Sequence, residues 1–192
     1  MGELTLILGP ARSGKSSLAV EMARRDGGSV LYIATSETLD DEMRERAAKH
    51  RAGRPDGWTT LEEPLDLPAR LLSQERFDIY VLDCATVWVS NLLLSQTSAD
   101  GEGWDDRLER ILASVRALIE WQRAAGAELI VVSNEVGASV VPEYELGRLY
   151  RDALGRTNQL LAAAADRFYC MVAGFYLDMK AVGARRLGEG EN

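Results

Sequence analysis

Five short apolar runs punctuate the chain: LTLIL at 4–8, VLYIAT at 30–35, IYVLD at 79–83, LIVVS at 129–133 and FYCMV at 168–172. They are nearly continuous in apolar character instead of alternating, a pattern that predicts parallel strands covered on both faces. Between them the hydrophobic spacing becomes helical. Residues 15–25 follow the first run and residues 39–52 follow the second. Residues 104–125 place Leu108, Ile111, Val115, Leu118 and Ile119 along one stripe. Residues 143–165, after Pro142, carry Leu146, Leu149, Leu154, Leu160 and Leu161. Strands alternating with helices predict βαβ units, hence an α/β fold with a mainly parallel central sheet and helices on both faces. No repeat or linker interrupts residues 1–180, so one domain is expected. Residues 95–103 read as a polar loop, and residues 181–192, with three glycines and no apolar pattern, as a flexible tail.

Composition narrows the possibilities. The chain has 192 residues, 46% hydrophobic and 27% charged, and a net charge of −8. Such an acid balance argues against a general nucleic-acid binder, which normally presents a basic face. No stretch approaches the roughly 20 apolar residues of a membrane helix. MGELTLILGP has neither the basic flank nor the long apolar run of a signal peptide. Cys84 and Cys170 lie far apart in apolar segments without metal-ligand spacing, and read as small core residues in a reducing compartment. A cytoplasmic protein is expected.

Chemistry enters directly after the first run. GPARSGKS, residues 9–16, satisfies G-x-x-x-x-G-K-[ST] at every specified position, between a strand and a helix. Gly9 and Gly14 allow backbone conformations that turn successive N–H groups toward one anion, and the helix adds its positive end. Pro10, Ala11, Arg12 and Ser13 complete the cradle. Lys15 is expected to reach the β- and γ-phosphates, and the Ser16 hydroxyl to ligate Mg²⁺. A second acidic site for the metal is Asp83, ending IYVLD at the sheet edge where open α/β proteins bind ligands. These features describe a P-loop nucleotide-binding protein, a description that covers kinases, motors and switches alike.

The lone histidine, His50, stands in AKHRAGRP among basic residues. Thr38 and Asp41 suit the start of a helix, on which Leu39, Met43, Ala47 and His50 share one face. His50 thus continues the inward stripe, away from Glu42, Arg46 and Lys49. Arg51 and Arg54 favour its neutral, nucleophilic form and offer an anion site beside it. An imidazole so placed can attack phosphorus and carry a nucleotidyl group. Structural roles, as a core histidine or a helix-end charge, compete with that reading.

GPARSGKS, YIATSETLDDEM, HRAGRP, SNEVGASVVPE (133–143) and RDALGRTNQLLAAAAD (151–166) together resemble the bifunctional adenosylcobinamide kinase/adenosylcobinamide-phosphate guanylyltransferase family of cobalamin biosynthesis. The resemblance runs from residue 4 to about 180. It implies a RecA-like P-loop fold, a homotrimer, and ATP or GTP plus a corrinoid as substrates. It implies that adenosylcobinamide is phosphorylated and that GMP then passes from GTP to that phosphate through a guanylylated His50. By the same resemblance Ala34, Thr35 and Ser36 line the nucleotide site, Arg51, Ala52, Gly53 and Arg54 contact nucleotide, and Glu62 and Asp83 are acidic nucleotide-binding positions. Glu135 of SNEVG is expected at the substrate edge, and Trp88 in a helix core. The rival readings are a small-molecule kinase with a structural His50 and a non-catalytic switch or ATPase subunit.

Overall fold

A computed structural model describes residues 2–36, 54–95 and 103–187. In chain order the elements are β1 (Leu4–Gly9), α1 (Lys15–Asp26), β2 (Val30–Ala34), β3 (Thr59–Glu62), α2 (Leu67–Leu72), β4 (Ile79–Asp83), α3 (Ala85–Ser95), α4 (Trp104–Ala125), β5 (Glu128–Asn134), α5 (Glu145–Ala164), β6 (Arg167–Val172) and β7 (Phe175–Asp178). The seven strands form one sheet in the order β3-β2-β4-β5-β1-β6-β7. Every neighbouring pair is parallel except β6 with β7.

The five apolar runs are β1, β2, β4, β5 and β6, and their lack of alternation has a visible cause. Side chains alternate between two faces, and both faces are covered. Leu6, Leu31, Ile33, Leu82, Leu129 and Val131 point to one face, under Leu67 of α2, Trp88 of α3 and Val115 and Leu118 of α4. Ile7, Tyr32, Val81, Ile130 and Val132 point to the other, against Leu18, Ala19 and Ala23 of α1. A third cluster joins α3, α4 and α5 through Val89, Leu93, Ile111 and Leu154. Among the described residues, no helix is long and apolar enough to cross a membrane.

Helix α4 has the bounds its stripe predicts, with Asp105 and Asp106 at the positive end and Gly126 closing it in a left-handed conformation. Three elements carry no clear sequence pattern. β3 has four residues of which only Leu61 is buried. α2 spans six residues, too few for a stripe to repeat. β7 follows a turn through Ala173 and Gly174, both at positive φ, without the Asn-Gly or Asp-Gly pair that marks such turns. The helix expected over 39–52, and most of the loop expected over 95–103, lie outside the described residues.

Trp88 is fully buried, as its expected core role requires, and its Nε1 donates to the Leu65 carbonyl at 2.9 Å. Trp88→Phe keeps an aromatic ring but strands that carbonyl and leaves a void. It should cost about 2 kcal/mol, seen as a lower urea midpoint at unchanged slope. Both cysteines are free and half-buried. Burial, and then the neighbouring Asp83, push the Cys84 thiol up to about 11 from 9.0. Only the thiolate alkylates. At pH 8, Cys84 of the folded protein should therefore react with iodoacetamide about a hundredfold more slowly than in urea, the rate climbing with pH until about 11.

Candidate active site

The sheet edge carrying the strands' C-terminal ends collects nearly all the chemistry. Gly9 ends β1, and a Cβ there would overlap the Met171 carbonyl oxygen of β6, so only glycine permits this approach. The chain then turns through exposed Pro10, Ala11 and Arg12, the last at φ 59, and buried Ser13. Gly14, at φ 101, precedes α1 without any side-chain cap. The first turn of α1 thus points its N–H groups at the edge, a geometry suited to phosphate.

Lys15 opens α1 and is only 7% exposed. Its Nζ donates to the Pro10 carbonyl at 2.7 Å and to Ser13 Oγ at 3.5 Å, folding the ammonium back over the cradle. Burial lowers its pKa, opposed by Cys84 and Asp83. Ser16 follows in the same turn, half-buried.

Asp83 ends β4, one strand beyond β5 from the cradle. In register it pairs with Ala34 of β2 and Val132 of β5, and Ala34 pairs with Glu62 of β3. Glu62, Ala34 and Asp83 therefore form one row. The Tyr32 hydroxyl donates to Asp83 Oδ2. Burial first, and Asp83 second, raise the Tyr32 pKa far above its ordinary value, so the phenol remains the donor. Arg54 lies with its guanidinium carbon 3.6 Å from the Tyr32 ring centroid and donates to Thr60 Oγ1 at 3.1 Å.

Thr35 is fully buried. Its hydroxyl donates to the Cys84 carbonyl at 2.8 Å and accepts from the Cys84 N–H at 3.1 Å, joining the ends of β2 and β4. Asn91 of α3 donates to the Thr35 and Pro64 carbonyls at 2.7 and 3.2 Å. Ser36 is exposed. His50, Arg51, Ala52 and Gly53 lie outside the described residues.

SNEVG closes the other side of the cradle. The Glu135 N–H donates to the Gly9 carbonyl at 3.1 Å, while its carboxylate accepts from the Gly137 N–H within its own turn. Beneath, Ser133 Oγ donates to Asn158 Oδ1 at 2.6 Å, Asn158 donates to the Asn134 carbonyl at 3.0 Å, and the Asn134 N–H donates to Thr86 Oγ1 at 2.7 Å.

The edge thus brings residues 9–16, Ala34, Asp83, Arg54 and Glu62 onto one side of the sheet. Glu62 lies four strands from Gly9, roughly 19 Å across at about 4.8 Å per strand. Sequence reasoning passed over Tyr32, Thr60, Thr86, Asn91 and Asn158. Each sits inside a strand or helix, and only the fold reveals what its polar tip meets.

Comparisons with known proteins point to one family. The family described as cobinamide kinase / cobinamide phosphate guanyltransferase matches residues 5–179. The bifunctional adenosylcobalamin biosynthesis protein CobP of Pseudomonas aeruginosa is 43% identical over 176 residues, covering 91% of this chain and 96% of that protein. The bifunctional adenosylcobalamin biosynthesis protein CobU of Escherichia coli K12 is 40% identical over 181 residues, covering 92% of this chain and 99% of that one. Among solved structures, an ATPase from the type III secretion system of pathogenic bacteria is similar at a TM-score of 0.50 and 9% identity, over 97% of this chain and 60% of that chain. That likeness concerns the fold, which is α/β and RecA-like. The chain belongs to the cobinamide kinase / cobinamide phosphate guanyltransferase family.

Proposed function

We propose that the protein is a bifunctional transferase of cobalamin biosynthesis. It phosphorylates adenosylcobinamide with ATP or GTP. It then transfers GMP from GTP to adenosylcobinamide phosphate through a guanylyl group on His50, giving adenosylcobinamide-GDP and pyrophosphate. The observation that carries this reading is a phosphate cradle and an Asp83–Tyr32–Arg54 cluster on one sheet edge. They occur in a chain 43% identical to a bifunctional relative across 91% of its length.

In the phosphoryl transfer, the N–H groups of the cradle and the Lys15 ammonium hold the triphosphate and stabilise charge on the phosphoryl group in flight. Ser16 and Asp83 would hold Mg²⁺, and the donor set fits, since a hydroxyl and a carboxylate are hard oxygen ligands. Among the described residues no group of three or more His, Cys, Asp or Glu could hold a metal. The remaining ligands would therefore be phosphates and water, as is usual for this ion. When bound, the ion supplies positive charge to the nucleotide phosphates.

In the nucleotidyl transfer, a His50 ring nitrogen attacks the α-phosphorus of GTP. The P–N bond forms, the bond to pyrophosphate breaks with its electron pair, and the imidazole sheds its proton. A phosphate oxygen of adenosylcobinamide phosphate then attacks the same phosphorus, and the histidine departs and recovers a proton. Splitting one displacement into two is the usual advantage of a covalent intermediate. Arg51, Ala52, Gly53 and Arg54 contact nucleotide beside His50, with Ala34, Thr35, Ser36 and Glu62 completing that end of the site.

Residues 1–180 act as one transferase domain, with 181–192 as a tail, in a cytoplasmic homotrimer. Exposed apolar side chains, among them Val140 at 91% and Phe175 at 82% exposure, offer surface for association between copies. GTP labelled at the α-phosphorus should leave acid-labile label on the denatured protein and release pyrophosphate. His50→Ala should abolish the label while retaining phosphorylation of adenosylcobinamide. Absence of label on the wild type, or undiminished label on His50→Ala, overturns the guanylyltransferase half. Lys15→Met should slow the phosphorylation about 10²- to 10³-fold, the usual loss on removing one charge-stabilising donor. An unchanged rate would remove Lys15 from the mechanism.

A further inference from the structure

Between the phosphate cradle and the Arg54 end of the edge lies a side chain that no phosphate-binding motif contains. Tyr32, inside β2, is 2% exposed and touches both halves of the site. Its hydroxyl donates to Asp83 Oδ2. Its ring face carries the Arg54 guanidinium at 3.6 Å, and Trp58 lies beside that ring with centroids 6.5 Å apart. Tyr32 pairs in register with Thr60 on one side and Val81 on the other. The Arg54–Thr60 hydrogen bond therefore falls on the same row as the tyrosine.

We infer that Tyr32 is a positioning residue for both transfers: its hydroxyl fixes the Asp83 carboxylate toward the phosphate cradle, and its ring seats Arg54 at the end of the His50 segment. This inference rests on the bifunctional reading above. A carboxylate at a strand end can rotate, and an O–H donor committed to one oxygen removes that freedom. Such charge-assisted bonds are about twice as strong as neutral ones. A phenylalanine would satisfy the packing against α1 equally well, so the hydroxyl is there for Asp83. The guanidinium lies against the face of the ring and also meets the phenol oxygen, so a phenylalanine face would keep the first of these contacts only. Tyr32→Phe thus removes the bond to Asp83 while keeping the ring under Arg54, and Tyr32→Leu removes the ring as well.

The test uses Tyr32→Phe, Tyr32→Leu, Asp83→Asn and the Tyr32→Phe/Asp83→Asn double variant, each first confirmed folded by its thermal transition. Binding of GDP is measured by calorimetry, once with Mg²⁺ and once in EDTA. Tyr32→Phe should weaken Mg²⁺-dependent binding about tenfold, the scale of one charge-assisted hydrogen bond. It should leave binding in EDTA within about twofold, and add nothing when Asp83 is already Asn. At saturating Mg²⁺ and GTP, Tyr32→Leu should label His50 at least about tenfold more slowly than Tyr32→Phe, which keeps the ring under Arg54.

Wild-type Mg²⁺-dependent affinity in Tyr32→Phe, equal losses with and without Mg²⁺, or additivity with Asp83→Asn would overturn the Asp83 role. Equal labelling rates in Tyr32→Phe and Tyr32→Leu would overturn the Arg54 role. A wild-type protein that binds GDP yet takes no label overturns the bifunctional reading, and with it the Arg54 half, while the Asp83 half stands or falls on binding alone.

Discussion

In a parallel sheet every strand delivers its C-terminal end to the same edge, and the side-chain period of two decides which face each terminal residue occupies. The candidate site depends on that register. Tyr32, Val81, Ile130 and Ile7 all point toward α1. Two residues further along their strands, Ala34, Asp83, Val132 and Gly9 share that face, which is also the face where α1 begins with Lys15 and Ser16. A slip of one residue in β4 would put Leu82 in place of Asp83 and turn the carboxylate away from the cradle. The register is secured because both faces are apolar and already filled. Leu82 belongs to the cluster under α2, α3 and α4, and Val81 to the cluster under α1, so neither can move to the other side without opening a void. The hydrophobic core thereby fixes the electrostatics of the edge.

The edge gathers charges of both signs. The whole carries −8, and the edge presents Lys15, Arg12 and Arg54 together with Asp83, Glu62 and Glu135. A local cradle of N–H groups and the Lys15 ammonium suits a triphosphate in spite of the net negative charge of the chain. Low exposure makes the Lys15 charge count for more, because water screens it less.

Much of this was legible in the sequence. The five buried strands announced themselves because burial on both faces removes alternation, α4 and α5 because their stripes repeat over several turns, and α1 because it follows the first strand and the glycine-rich turn. GPARSGKS located the cradle before any coordinate, because the chemistry of phosphate binding demands those glycines and that lysine. Asp83 was readable as the polar end of an apolar run. Tyr32 was not, because VLYIA reads as strand core and its hydroxyl acquires meaning only through a residue 51 positions away. Thr35 shows the complementary difficulty. The resemblance placed it at the nucleotide, and the fold shows a buried hydroxyl joining β2 to the backbone after β4. β3, α2 and β7 escaped because elements of four to six residues are too short for periodicity to accumulate.

What the P-loop motif conceals is how the cradle is held from outside. Its backbone is tied on one side by the Glu135 N–H on the Gly9 carbonyl, and on the other by the Gly174 N–H on the Ser13 carbonyl at 3.0 Å. The first tie comes from the turn after β5 and the second from the β6–β7 hairpin, so both strands flanking β1 clamp the loop that follows it. Neither bond uses a side chain, and no motif could have recorded them. The β5 side is stiffened further by the buried relay through Ser133, Asn158, Asn134 and Thr86, whose polar groups would be costly to bury unpaired. A loop of glycine and small residues has little rigidity of its own. Its preorganisation is borrowed from neighbours in the sheet, which is why SNEVG and the C-terminal hairpin, though outside the phosphate motif, belong to the working structure of the site.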